Sequence, residues 1–136
     1  FKKDKQNQGL YSPVQASSRI YSSQDIERWH INEMKSLLSR FSGVKFIFDN
    51  VKQKYYPVLR DAITSFRSKN EGKPLVVIDD TPFIDFDILD YPVNDIEEIF
   101  LLKGSDAAIW GPKASNGIIV IITQRGKSTK IEQKEE

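Results

Sequence analysis

Residues 111–129 read GPKASNGIIVIITQRGKST, and the last four, Gly126-Lys127-Ser128-Thr129, have the composition of a phosphate-binding loop. Such a loop wraps phosphates in backbone N–H groups. It needs a further glycine five residues before the Gly-Lys pair and a helix after it. Position 121 is Ile121, inside an apolar run, and after Thr129 the chain offers only KIEQKEE, which has no apolar face for a packed helix. The stretch is therefore read as packing, with Ile118 to Ile122 a buried strand and Gln124 to Lys127 its solvated exit.

The acids Asp79, Asp80, Asp85, Asp87 and Asp90 form a dense carboxylate cluster. Hard cations want several oxygens from one loop. With Asp85 as position one of a calcium loop, Asp87 fits position three. Position five is then Leu89, no glycine follows, and position twelve is Ile96 in place of the closing Glu. Apolar Phe83, Ile84, Phe86, Ile88 and Leu89 interleave with the acids, which points to a loop packed on the domain with its acids in water. The run Val76-Val77-Ile78-Asp79-Asp80-Thr81 has the look of a strand-end aspartate nucleophile. That chemistry requires a helix after the loop and a lysine nearby, whereas Pro82 opens an irregular stretch. A hairpin turn is the simpler reading of Asp79-Asp80.

His30 is the only histidine. A triad or a zinc site would need it beside a nucleophile or further ligands, and next to Trp29 it reads as a surface or staple position. Lys2, Lys3, Lys5, Lys127 and Lys130 are scattered terminal charges. No catalytic, cofactor-binding or metal-ligating residue is assigned, and no enzyme is expected.

The elements that position these residues belong to a chain of 136 residues, long enough for one domain with a core. Apolar residues make up 39% and charged residues 29%, with a net charge of +1, so neither a nucleic-acid nor a membrane footprint is indicated. Cysteine is absent, which excludes disulfides and thiolate-bound metal. No apolar run approaches the ~18 residues of a membrane-spanning helix. A start at Phe1 leads us to expect a processed chain or a piece of a longer protein.

Residues 1–19 are polar and aperiodic, and read as a flexible arm or linker. Ser22, Ser23 and Asp25 offer helix N-caps before Ile26 and Trp29. Asn32 offers another before Met34, Leu37, Leu38 and Phe41, which share one helical face over 32–41. Ser42-Gly43 ends that helix. Strands are expected near 44–48, 75–79, 97–102 and 117–123 in one sheet. The stretch 55–69 supports two readings: a helix carrying Val58, Leu59, Ala62, Ile63 and Phe66 on one face, or a short strand at Val58 to Arg60 followed by a loop. Glu71-Gly72-Lys73-Pro74 is loop punctuation. Pro92 to Glu97 reads as a short helix start, and Ser105 to Trp110 as a helical turn. No internal repeat is visible. The pattern gives an α+β fold: a small mixed, mainly antiparallel β-sheet with short flanking helices.

Several ordered motifs carry a family resemblance. A Leu-rich helix closes in Phe-Ser-Gly-Val (41–44), followed by Val-Leu-Arg (58–60), Pro-Leu-Val-Val-Ile-Asp (74–79) and Asn-Asp-Ile-Glu-Glu-Ile (94–99). Then come Leu-Lys-Gly-Ser-Asp-Ala-Ala-Ile-Trp-Gly (102–111) and Ala-Ser-Asn-Gly-Ile-Ile-Val-Ile-Ile-Thr-Gln-Arg-Gly-Lys (114–127). Together they resemble the plug domain of TonB-dependent outer-membrane receptors, most closely the SusC/RagA-like branch typical of the Bacteroidota. The resemblance spans about Ile20 to Lys127. It implies a plug-like domain over 20–127, with 1–19 as arm and 128–136 as a polar tail.

The resemblance implies structural roles for Gly43, Arg60, Asp79, Asn94, Ile96, Glu97, Lys103, Gly111, Asn116, Gly117, Thr123, Arg125 and Gly126. Gly111 and Gly117 would supply permissive backbone, and Trp110 would pack over the small residues. It departs from the usual family pattern in having Asp79-Asp80 for Asp-Gly and Arg60-Asp61 for Arg-Gly. By resemblance the function is a gate. The plug would occlude a barrel of about 22 strands, contribute to substrate binding and be displaced through TonB. Implied partners are the outer-membrane β-barrel of the same or a related chain, TonB and a SusD-like lipoprotein. No nucleic acid is implied, the domain alone would be monomeric, and its place would be the outer membrane, facing the periplasm. The alternative is a plug-like interaction module at the C-terminus of a barrel-less periplasmic or surface protein. The KIEQKEE terminus fits either.

Overall fold

The computed structural model describes residues 19–59 and 72–125. The expected arm (apart from Arg19), the tail and the stretch 60–71, with Arg60, lie outside the described residues, as does Gly126. The element order is β1 (Tyr21–Ser22), α1 (Ser23–Arg28), α2 (Met34–Leu38), β2 (Val44–Asp49), β3 (Lys54–Leu59), β4 (Leu75–Ile78), β5 (Thr81–Phe83), β6 (Ile96–Leu102) and β7 (Ile118–Thr123).

The run Ile118-Ile119-Val120-Ile121-Ile122-Thr123 is β-branched throughout. Such side chains are stiff about χ1 and suit a pleated surface. It forms β7, the middle strand of a five-stranded sheet ordered β1-β6-β7-β4-β5. β7 pairs antiparallel with β6 and parallel with β4, while the outer pairs β1–β6 and β4–β5 are antiparallel. The sheet is therefore mixed and mainly antiparallel, as the pattern predicts.

Side chains alternate across β7 into two apolar clusters. Ile119 and Ile121 join Val76, Ile99 and Leu101 under Ile26, Met34, Leu37, Leu38, Phe41 and Leu59. Ile118, Val120 and Ile122 join Leu75, Val77, Phe100 and Leu102 under Ala107, Trp110 and Ala114. Burying each large aliphatic side chain is worth about 1.5–3 kcal/mol. A charge at any β7 position from 118 to 122 would therefore disrupt one face.

The first helix is set by its cap. The Ser22 hydroxyl accepts from the Asp25 N–H at 3.3 Å, and the Asp25 carboxylate accepts from the Ser22 N–H at 3.0 Å. This reciprocal capping box also holds the Asp25 carboxyl below its ordinary pKa, through the Ser22 backbone bond first and Arg28 second. Tyr21 anchors the chain ahead of the helix: its hydroxyl donates to the Arg40 carbonyl at 3.0 Å, and its ring meets Phe41 at 4.7 Å and Trp29 at 5.5 Å.

The structure corrects several expectations. The strand at 44–49 lies outside the main sheet and pairs with β3 in a separate two-stranded hairpin. β3 settles residues 54–59 as strand, so the helical spacing that begins at Val58 does not govern there. The second helix is shorter than 32–41 and is capped by Glu33, which makes no side-chain cap bond, in place of Asn32. Its apolar face is nonetheless buried as expected. Residues 93–95 make a single 3-10 turn, and Ile96 already belongs to β6. β1 and β5 were not expected. Pro82 is tolerated in β5 because that strand is an edge, where a missing N–H leaves no neighbour unpaired.

The turn between β4 and β5 is the two-residue loop Asp79-Asp80, with φ of +48° and +71°. Positive φ at both positions is the signature of a type I′ hairpin turn, in which the second position favours glycine. Asp80→Gly is expected to raise stability by about 0.5–1 kcal/mol, read as a higher denaturant midpoint. A lower midpoint would mean that Asp80 makes a contact worth more than the relieved strain.

Candidate functional site

At the Asp79 end of the sheet the structure gathers several of the motif residues. Thr123 ends β7 with no exposed surface. Its N–H donates to Asp79 Oδ1 at 3.0 Å and its hydroxyl to Oδ2 at 2.5 Å. The Asp79 N–H in turn donates to the Ile121 carbonyl at 3.0 Å. One side chain thus satisfies both donors of a buried threonine and ties the β4–β5 turn to the end of the central strand.

Beside this clamp, the Tyr91 hydroxyl donates to Asp95 at 2.6 Å, and the exposed Arg125 reaches the same carboxylate oxygen at 3.4 Å. Burial raises the Tyr91 pKa, and its bond to Asp95 raises it further, so the phenol stays protonated. Gln124 donates to the carbonyl of exposed Asn94 at 3.4 Å. Ile96 is fully buried opposite Thr123. Glu97 falls in the β-bulge between Ile96 and Glu98, and its carboxylate accepts from Ser23 at 3.5 Å.

The other end of the sheet is organised by backbone. Lys103 leads into a chain of 3-10 turns over 104–114 that covers the second sheet face. Gly111 has φ +85° and ψ −169°, a region open to glycine almost alone. A Cβ there would meet nothing within 4 Å, so conformation and not space requires the glycine. Asn116 is buried and donates to the Lys73 carbonyl at 3.3 Å, and Gly117 accepts from Leu75 at 3.0 Å, extending the β4–β7 pair. At the far side of the fold, Gly43 turns α2 into β2 with φ +85°. These motif residues hold turns and strand ends. They do not converge on one pocket.

Asp85, Asp87 and Asp90 are exposed, as expected for this loop, and each also pairs with lysine. Lys73 Nζ lies 2.8 Å from Asp85 and 3.3 Å from Asp49, Lys52 lies 3.1 Å from Asp85 and 3.2 Å from Asp87, and Lys54 lies 2.7 Å from Asp90. Hydrogen bonding from Lys73 holds Asp85 below the usual carboxylate range. Among the described residues no three His, Asp or Glu side chains are arranged to hold a metal ion. Ammonium groups supply the positive charge that the acids require.

Sequence reasoning missed Lys52, Lys54, Lys73, Tyr91 and Asp95. No local signal marked the lysine–aspartate pairs, because Lys52 sits in the hairpin turn and Asp85 holds φ +58°, so neither lies in a strand whose alternation could line them up. His30 sits exposed in the turn after α1 with φ +56°. It lines an open groove of about 510 Å3 with Trp29, Asn32, Glu33, Ser36 and Arg40. Asp80 is an exposed turn residue.

The clamp gives the two turn aspartates opposite expected behaviour. Asp79→Gly removes the acceptor that both donors of a buried threonine use, at about 1–3 kcal/mol for each donor left unsatisfied, against a gain of about 0.5–1 kcal/mol in the turn. A net loss of about 1–5 kcal/mol is expected in a urea melt, where the same change at Asp80 stabilises. Equal effects at the two positions would refute the clamp.

The family model for the TonB-dependent receptor plug domain matches residues 12–118. Among solved structures, the siderophore receptor PirA from Acinetobacter baumannii is similar with a TM-score of 0.62 and 20% identity, over 82% of this chain and 18% of that one. A variant of the ferric enterobactin receptor PfeA from Pseudomonas aeruginosa, in complex with enterobactin, is similar with a TM-score of 0.58 and 19% identity, over 80% of this chain and 18% of that one. The chain spans less than a fifth of the length of these two receptors, and at this identity the likeness is one of fold.

Proposed function

The chain belongs to the TonB-dependent receptor plug family, and on that premise we propose that it is the gate of an outer-membrane nutrient transporter. The observation that carries this reading is the family match together with a fold shared with receptors for iron chelates. The domain would stand inside a β-barrel of the same or a related chain, block its lumen and add part of a substrate site. Barrels of about 22 strands have a lumen wide enough to need such a plug.

The motif residues support a gate because their work is architectural. The Asp79–Thr123 clamp, the Glu97 bulge and the Gly111 turn fix the body of the plug and leave ligand contacts to loops. The family consists of receptors and not enzymes, and no reaction is proposed. We read the division as an arm over 1–19, the plug over 20–127 and a tail over 128–136.

The finer reading is the SusC/RagA-like branch, which the ordered motifs over 41–127 taken together most closely resemble. TonB and a SusD-like lipoprotein would then be the partners, at the periplasmic and outer sides. The second reading is a plug-like interaction module at the C-terminus of a barrel-less periplasmic or surface protein. A plug shares its substrate contacts with barrel loops. Half a site binds weakly, since ordering loops costs free energy that few contacts offset.

The test is a binding screen of this chain against oligosaccharides, peptides and iron chelates, beside a longer chain that includes the barrel. The expected result is a folded monomer with no turnover and no affinity at micromolar level or tighter, while the barrel-containing protein binds. Micromolar binding by this chain alone would favour the self-sufficient module.

A further inference from the structure

The β2–β3 hairpin has its own hydrogen-bond ladder, from Val44 opposite Leu59 to Asp49 opposite Lys54, separate from that of the five-stranded sheet. Its base is anchored by burial, since Val58 and Leu59 are 3% and 0% exposed. Its tip is not. Ile47, Phe48, Val51 and Tyr55 stand exposed, with Val51 93% open. An isolated two-stranded hairpin is marginal in water, so the tip depends on what holds it.

What holds it is charge. From the hairpin come Asp49, Lys52 and Lys54; from the segment before β4 comes Lys73; from the loop after β5 come Asp85, Asp87 and Asp90. Lys73 joins Asp49 to Asp85, Lys52 joins Asp85 to Asp87, and Lys54 joins Asp87, at 3.5 Å, to Asp90. The ladder is continuous. At its most shielded rung the Lys73 and Asp49 side chains are only 15% and 13% exposed, and Lys73 also lies 4.8 Å from the centre of the Tyr56 ring. Glu33 and Lys35 line the groove beside Lys54, Asp87 and Asp90, with Lys35 4.7 Å from the Tyr55 ring centre.

We propose that this ladder is an electrostatic latch, and that the β2–β3 hairpin is a flap whose tip is released from the 85–90 loop by salt or acid while the five-stranded sheet stays folded. Exposed ion pairs are individually weak and screened by salt, so a tip held mainly by them, with ring–cation contacts at Phe46, Tyr55 and Tyr56 beside them, is the first part of this fold to let go. Gly43, at the start of the hairpin with φ +85°, supplies a backbone pivot. The latch stands on the ion pairs and does not depend on the transporter reading.

Its pH range follows from the direction of the shifts. The Lys52 backbone bond and Lys73 lower the pKa of Asp49, and Lys73 and Lys52 lower that of Asp85. Their contribution is present above the ordinary carboxylate value of about 3.9 and is lost as pH falls through the lower folded values. Lys52 is raised by Asp85 and Asp87, and Lys54 by Asp90 first. Burial pulls Lys73 down, but its bonds to Asp85 and Asp49 outweigh this and leave it raised. The lysine contribution is complete below about 10.4 and is lost as pH rises through the higher folded values. The latch is thus closed throughout the neutral range.

The chain has no cysteine, so spin labels can be placed cleanly at Val51→Cys on the tip and Thr81→Cys on the sheet. Pulsed dipolar spectroscopy at neutral pH should give a narrow distance distribution at about 0.1 M salt. At about 1 M, where the screening length shrinks from about 10 Å to about 3 Å, it should broaden about twofold or more while amide protection in β7 is kept. Adding Asp85→Asn and Asp87→Asn should broaden it already at the lower salt. A distribution that salt does not change, or one that broadens only as β7 protection is lost, would overturn the latch. If the double variant fails to fold, the salt series on the labelled parent sequence decides alone.

Discussion

The fold depends on a strand with no wet side. Every residue of β7 is buried, five of them aliphatic, so the chain must supply cover twice. It does so with different materials. One face receives α1, α2 and the base of the hairpin, which bring large side chains. The other receives a coil of 3-10 turns whose contribution is small residues and one indole. Because alternate residues serve opposite faces, a one-residue slip of β7 would exchange the two sets. The parallel pair with β4 and the antiparallel pair with β6 pin the register from both sides, and the Asp79 carboxylate fixes the last residue.

That constraint explains what could be read from the sequence. The β7 run, the 75–78 strand and the 96–102 strand are short apolar stretches bounded by turn residues, and they appear within a residue of their expected limits. The apolar face of Met34, Leu37, Leu38 and Phe41 is equally legible, because one-sided burial leaves a periodic trace. Local pattern does not encode which strands share a sheet. Val44–Asp49 has the composition of a sheet strand, and only tertiary packing sets it apart with β3. β1 escaped notice because two residues carry no period, and β5 because its proline argues against a strand unless an edge is foreseen.

The ends of the sheet were legible only as motifs. Asp79 and Thr123 lie 44 residues apart, and nothing local says that one carboxylate will take both donors of the other residue. The resemblance marked both positions without a reason, and the geometry supplies one. Asp79 must also hold positive φ, which aspartate tolerates better than most residues. Lysine–aspartate pairing was hidden for a different reason. Charged residues in loops are usually solvated, and only the placement of the hairpin brings these into contact.

The protein contains two tryptophans, and they fall on opposite sides of the central sheet. Trp29 packs against the helical cluster with the Arg40 guanidinium 3.8 Å from its ring centre. Trp110 lies in the second cluster, with its indole N–H buried and unpartnered. The molecule therefore carries an intrinsic optical label on each cover. An indole beside a cation and an indole in a dry apolar layer emit at different wavelengths, so the loosening of one cover can be distinguished by colour from the loosening of the other, without any foreign dye.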